Sequence, residues 1–282
     1  MSQVAFTLEQ AAVIGAGTMG RGIVMSLANA GIQVLWLDNN PQMLDQAMSV
    51  VAETNAHNLK LGRISAEQAA ARLACVTPVG DYASLADADL VIEAVYENLE
   101  LKQQIFRTLD ATLKPGAILA SNTSALDIDA IAGVTKRPEY VLGLHFFSPA
   151  HIMKLLEIIK GDASAPTALA CGFRLAKQLG KIPVVAGVCD GFIGNRILAR
   201  YREAADLLLL HGATPSQIDK AMTGFGYAMG PYEAQDMSGL DIAFANRRRQ
   251  DAMRDPNRTY VRIADKMVEA GRLGRKTGLG WY

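Results

Sequence analysis

The chain has 282 residues, half of them hydrophobic and a fifth charged, enough for a large buried core and for two globular domains. Its 28 Lys and Arg balance 28 Asp and Glu, so zero formal net charge argues against a broad electrostatic attraction to nucleic acid or a membrane surface. Cys75, Cys171 and Cys189 lie far apart without metal-ligand spacing, which argues against a metal site and reads as packing residues of a reducing, cytoplasmic compartment.

The N-terminal MSQVAFTLEQ has no basic head and no long apolar run, so no signal peptide is expected. No later segment reaches the roughly 18 uninterrupted apolar residues of a membrane span. From Ala11 an apolar strand pattern leads into Gly15-Ala16-Gly17-Thr18-Met19-Gly20, then a helical pattern through Ala30, then a strand from Gln33 to Leu37 ending at Asp38. Strand, glycine turn, helix, strand and acid stand in the order a dinucleotide site needs. Gly15 permits the tight turn, Gly17 lets the backbone approach the pyrophosphate, and Gly20 lets helix and strand pack closely. Thr18 and Met19, between them, belong to the same cofactor loop. Asp38 can hydrogen-bond ribose hydroxyls and would repel a 2′-phosphate, which favours NAD over NADP. A plain βαβ turn with a strand-end Asp would carry the same residues.

Pro41 to Lys60 and Ser65 to Ala74 read as two helices, the second opened by a capping box of Ser65 and Gln68. This pair, about 41–74, interrupts a simple alternating α/β pattern and is either an arm reaching a long ligand or a hairpin packed on the sheet. Leu90 to Val95 reads as a buried strand whose end carries Glu93 and Glu97, with Lys102 in the helix from Leu99. Ala117 to Ala120 is a further strand, ending in Ser121-Asn122-Thr123-Ser124. These small polar residues stand where open α/β sheets place ligands, or serve as an N-cap for a helix from Asp127 to Ala132.

Gly143 to Ile159, GLHFFSPAHIMKLLEII, sets His145 and Glu157 inside two short runs that are otherwise almost wholly apolar. Ionisable groups there are costly unless paired or used. If the chain turns at Ser148-Pro149-Ala150, the two runs lie side by side and the carboxylate can accept a hydrogen bond from one imidazole nitrogen. The other nitrogen then stays basic, as in a general base oriented by an acid. A core histidine with its hydrogen bonds satisfied is the bland alternative. A helix from about Pro166 to Leu179 and an edge strand marked by Pro183 should close the sheet. From Asp190 onward the pattern is helical. The division therefore falls near Gly187, giving domains 1–187 and 188–282. Asn195, at the start of the second, can donate an amide hydrogen bond to a substrate oxygen or cap a turn. Arg247-Arg248-Arg249 reads as a solvated helix face rather than a phosphate site. The Gly- and Lys/Arg-rich tail from Arg272 should fold back as a loop.

Together these pieces resemble the NAD-dependent L-3-hydroxyacyl-CoA dehydrogenases along the whole chain: GAGTMG, VIEAVYEN with Lys102, SNTSALDI, GLHFFSPAHIMKLLE, DGFIGNR, GYAMGPYE, GLD and KTGLGWY. The wording is most similar to the dehydrogenase part of multifunctional fatty-acid oxidation enzymes, in which a hydratase and a second helical domain are fused to it. The resemblance implies an α/β Rossmann-type dinucleotide-binding domain followed by an all-helical C-terminal domain, acting on an acyl-CoA thioester. It implies that His145 takes the hydroxyl proton, that Glu157 orients it, and that Ser124 and Asn195 hydrogen-bond the substrate oxygen. Gly15, Gly17, Gly20, Asp38, Glu97, Lys102 and Lys276 match the family's cofactor contacts. The 41–74 pair corresponds to the arm that touches coenzyme A, with Thr54 and Lys60 as candidates. Ser148 departs from the Asn that many relatives carry there. A single helical domain implies a homodimer.

Three other readings remain open. β-Hydroxyacid dehydrogenases acting on free acids also use GxGxMG, but they need a catalytic lysine after Asn195 that has no match here. Dehydrogenases of carnitine or gulonate share the His-Glu logic. A non-catalytic NAD-binding protein would keep the fold, but the intact His145, Glu157, Ser124 and Asn195 argue against it.

Overall fold

The computed structural model describes residues 8–282; segment 1–7, most of the stretch read for a leader, lies outside the described residues. The chain divides into two compact units, the first ending at Ile193 and the second spanning Gly194–Tyr282.

In the first unit, β1 (Gln10–Ile14), β2 (Gln33–Leu37), β3 (Val76–Val79), β4 (Leu90–Glu93), β5 (Ile118–Ser121), β6 (Val141–Phe146), β7 (Leu155–Lys160) and β8 (Ile182–Gly187) form one sheet. Its order is β3-β2-β1-β4-β5-β6-β7-β8. Neighbours from β3 to β6 are parallel, β7 is antiparallel to β6, and β8 is parallel to β7. Helices α1 (Thr18–Asn29), α2 (Pro41–Lys60), α3 (Ala66–Ala74), α4 (Leu99–Thr112), α5 (Ile128–Ala132) and α6 (Pro166–Gln178) connect the strands. Along β1, Ala11 and Val13 enter one core while Ala12 and Ile14 enter another. Both sheet faces are therefore covered, which is why the strands read as continuous apolar runs.

Local chemistry sets the helix starts. Asn40 caps α2 with Pro41 at its first position, Ser65 and Gln68 form the expected capping box on α3, and Asn98 caps α4. Asp127 itself caps α5, so that helix does not need the Ser121–Ser124 segment as its cap. Strand β8 closes the sheet, with Pro183 on the edge as expected. The opposite edge, β3, has no clear sequence signal: it is four residues long, contains Pro78, and is exposed at Thr77 and Pro78.

The division of the chain comes at Ile193, later than composition suggests. Phe192 is buried in a core of the first unit with Val188 packed against that core, and the Ile193 amide donates to Glu157. The second unit is helical: α7 (Gly194–Leu210), α8 (Pro215–Phe225), α9 (Pro231–Ser238), α10 (Leu240–Arg249) and α11 (Ile263–Glu269). Ala205, Ile218 and Tyr232 make its small core. The tail folds back as expected. Asp236 accepts the amides of Trp281 and Tyr282, and Asp219 accepts those of Tyr232 and Glu233 together with the Tyr282 hydroxyl. Among the described residues, no helix is long and apolar enough to cross a membrane.

Candidate active site

Strand β1 pairs with β2 on one side and β4 on the other, so the strand order reverses there. The carboxyl ends of these strands border the crevice in which open α/β sheets bind ligands. The loop after β1 is shaped by its glycines. Gly15 has φ +108°, and a Cβ there would lie 2.6 Å from the Ala94 carbonyl oxygen; a Cβ on Gly20 would lie 1.9 Å from the Gly15 carbonyl oxygen. By contrast, nothing lies within 4 Å of a Cβ built on Gly17. Gly17 is the N-cap of α1, where backbone N–H groups and the helix dipole favour phosphate. Thr18 and Met19 form the first turn, Thr18 exposed and Met19 half-buried. Asp38 directly follows β2 with both oxygens engaged: Oδ2 accepts the Ala16 amide at 2.7 Å and Oδ1 the Asn40 amide at 2.8 Å. Its carboxylate is thus fixed against the glycine loop, an arrangement that fits a dinucleotide with unphosphorylated ribose.

His145 and Glu157 are register partners across β6 and β7. The imidazole Nδ1 lies 2.7 Å from Glu157 Oε2, and Glu157 Oε1 accepts the Ile193 amide at 3.0 Å. Glu157 is fully buried and His145 is 5% exposed. The ring packs against Phe147 at 4.5 Å and Phe192 at 5.6 Å between centroids. With little water to compete, the carboxylate is a strong acceptor for Nδ1–H. That hydrogen bond selects the tautomer whose lone pair is on Nε2, and it stabilises an imidazolium once Nε2 has taken a proton.

A second polar cluster joins β4, α4 and β5. Lys102 Nζ is 2.6 Å from Glu93 Oε1 and 3.4 Å from Glu97 Oε2, with the Lys102 side chain only 1% exposed. Glu97 Oε1 accepts the Thr123 hydroxyl at 2.6 Å, the Ser124 amide at 2.9 Å and the Ser124 hydroxyl at 3.3 Å. Burial works against the Glu97 carboxylate, but the Lys102 ammonium and the bonds from Thr123 and Ser124 outweigh it and hold its pKa below the usual carboxylate range. The preceding residues have their own partners: the Ser121 hydroxyl donates to Glu93 Oε2, and Asn122 Oδ1 accepts the Phe146 amide, next to His145.

The first unit therefore gathers the glycine loop with Asp38, pairs His145 with Glu157, and ties Ser124 to Glu97 and Lys102. Thr54 and Lys60 lie apart on α2; the Thr54 hydroxyl donates to its own helix at Val50, and Lys60 is exposed at the helix end. Asn195, in the first turn of α7, and Lys276, ion-paired with Asp241, belong to the second unit. Sequence reading gave no role to Glu93, Phe192 or Ile193, and it placed Asn122 among the ligand-end residues without its bond to the Phe146 amide. Lys102 had a usable signal: with Ile105, Phe106 and Leu109 it falls on the apolar face of α4, so a buried partner such as Glu93 was implied.

Fold and site together define a dinucleotide-binding oxidoreductase with a buried histidine–carboxylate pair. The profile described as "3-hydroxyacyl-CoA dehydrogenase, NAD binding domain" matches residues 10–189, and "3-hydroxyacyl-CoA dehydrogenase, C-terminal domain" matches 191–282. The chain belongs to the 3-hydroxyacyl-CoA dehydrogenase family, and its cofactor is NAD. The peroxisomal bifunctional enzyme of Danio rerio is 44% identical over 98% of this chain, which spans 39% of that protein's length. Among solved structures, 3-hydroxybutyryl-CoA dehydrogenase from Escherichia coli K12 superposes with a TM-score of 0.91 at 38% identity, covering 98% of this chain and 59% of its own. M. tuberculosis FadB2 also reaches a TM-score of 0.91, at 33% identity, covering 98% of this chain and 99% of its own.

Proposed function

We propose that the chain oxidises L-3-hydroxyacyl-CoA thioesters to 3-oxoacyl-CoA, as in fatty-acid β-oxidation, with His145 as the general base. The observation that carries this reading is the buried 2.7 Å contact between His145 Nδ1 and Glu157. Bound NAD supplies the acceptor for the hydride that leaves C3. His145 Nε2 takes the C3 hydroxyl proton, and Glu157 neutralises the imidazolium that forms. Ser124 donates to the substrate oxygen, favouring the negative charge that develops on it as the proton leaves. Asn195 receives the same role from its place in DGFIGNR.

Asp38 receives the ribose hydroxyls, and Glu97 and Lys276 are assigned to the cofactor. Lys102, buried and ion-paired, acts on the cofactor through Glu97. Thr54 and Lys60 on α2 are assigned to coenzyme A. The buried thiols of Cys75 and Cys171 support a reducing, cytoplasmic setting.

Consumption of NADH at 340 nm with acetoacetyl-CoA tests the reading. Rapid turnover is expected with NADH and the thioester, and little with NADPH or a free 3-oxo acid. An inert thioester beside a reactive free acid would instead favour a carnitine- or gulonate-type substrate.

We further propose a homodimer formed through the helical unit. Its helices expose apolar side chains that its own core leaves uncovered, among them Ile197 at 65%, Phe225 at 81% and Ile242 at 58% exposure. Size-exclusion chromatography with light scattering at micromolar concentration should give twice the 30.3 kDa chain mass, and a monomer would count against the proposal.

A further inference from the structure

We propose that Glu93 is a positioning residue for this reaction, acting through Lys102 and Glu97 to fix Ser124 relative to His145. The inference rests on the dehydrogenase reading above. Glu93 is fully buried at the carboxyl end of β4, with both carboxylate oxygens occupied. Oε1 accepts Lys102 Nζ at 2.6 Å and the Val95 amide at 2.7 Å, while Oε2 accepts the Ser121 hydroxyl at 2.7 Å. It therefore grips the loop that leads to Glu97 and the end of the strand that leads to Ser124. Lys102 completes the chain, reaching Glu97 at 3.4 Å and the Val95 carbonyl at 3.3 Å.

The order of bond lengths at Glu97 shows what this arrangement does. The Ser124 amide, at 2.9 Å, holds that residue's backbone, whereas its hydroxyl lies at 3.3 Å. The hydroxyl can turn to a substrate oxygen without releasing the segment. Two residues earlier, Asn122 accepts the Phe146 amide at 2.9 Å, so the same segment is registered against the residue next to His145. A hydrogen-bond donor and a base that act on one oxygen must keep a fixed separation, and small misplacements cost rate. A buried ion pair is a poor means of stabilising a fold compared with apolar packing. Here the pair stands at the ligand-bearing ends of the strands, where placement of polar groups matters most.

Glu93→Gln keeps the side-chain shape and removes the charge that holds Lys102. Four enzymes are compared: wild type, Glu93→Gln, Ser124→Ala and the double variant. Steady-state turnover is measured for each, with NADH affinity from fluorescence titration. Glu93→Gln is expected to lower kcat by about ten- to a hundredfold, with a clearly smaller loss of NADH affinity transmitted through Glu97. In the Ser124→Ala background the same change should cost less than about twofold, because what Glu93 positions is gone. A merely structural Glu93 would give independent losses that multiply in the double variant, and that result overturns the proposal. So does NADH affinity that falls in step with kcat, or a Ser124→Ala variant as fast as wild type. Should Glu93→Gln fail to fold, Ser121→Ala removes one bond to Glu93 and keeps every charge. It should show the same coupling at smaller amplitude, and an unchanged kcat would overturn the proposal. The cycle can be run on any hydroxy substrate that wild type oxidises, so inactivity toward the thioester and absence of coupling are separate results.

Discussion

His145→Ala is expected to cut turnover by roughly 10²- to 10⁴-fold, the usual contribution of a positioned general base. NADH affinity should change little, because the glycine loop and Asp38 that frame the cofactor crevice make none of their hydrogen bonds to His145. Glu157→Gln should be nearly as damaging although it adds no bulk, and the reason is directional. The Ile193 N–H points at one Glu157 oxygen and His145 Nδ1 at the other. A glutamine in that place must turn its carbonyl to the Ile193 amide, which leaves its NH₂ facing Nδ1. Nδ1 can then only accept, so the proton moves to Nε2 and the base is lost. Steady-state rates at 340 nm and NADH fluorescence titrations on both variants check this. Equal losses of turnover and NADH affinity would refute the assigned roles, and a Glu157→Gln enzyme near wild-type speed would refute the tautomer argument.

The parts of this site that could be read from sequence are those set by local order along the chain. Gly15, Gly17 and Gly20 with Asp38 announce a βαβ crevice because turn, helix start and acid follow one another within a short stretch. His145 and Glu157 stood out as ionisable residues in apolar runs, and one turn at Ser148-Pro149-Ala150 was enough to pair them. What escaped was held by contacts between distant segments. Glu93 looked like a strand-end acid until the structure placed Lys102 from α4 and Ser121 from β5 on it. Phe192 and Ile193 follow a change in composition, yet they pack on His145 and bind Glu157, so the first unit extends beyond the apparent boundary. Strand β3 escaped for a different reason. A four-residue edge containing Pro78 has one paired side and little burial, so its sequence carries almost no periodicity.

Lys102→Met should cause a large loss of stability. Methionine fills much the same volume, so packing is nearly kept, but the buried charge of Glu93 is left unopposed. Breaking a buried pair by removing one partner costs about 3–5 kcal/mol. For a unit of this size, at about 2–4 °C per kcal/mol, thermal unfolding should shift down by roughly 6–20 °C. The deficit should also depend on pH. In the wild type the depressed pKa of Glu97 adds stability that is fully present above its unfolded-state pKa and is lost as pH falls through the folded value. Without the ammonium, only the Thr123 and Ser124 hydrogen bonds oppose burial, so the Glu97 pKa is less depressed and this group adds less stability above its unfolded-state pKa. The gap between the two proteins should therefore be wide at pH 7.5 and narrower near pH 4.5, with melting curves at both values as the measurement. A gap that is equal at the two pH values, or below about 1 kcal/mol at neutral pH, would mean that Glu93 is solvated or otherwise compensated when Lys102 is removed.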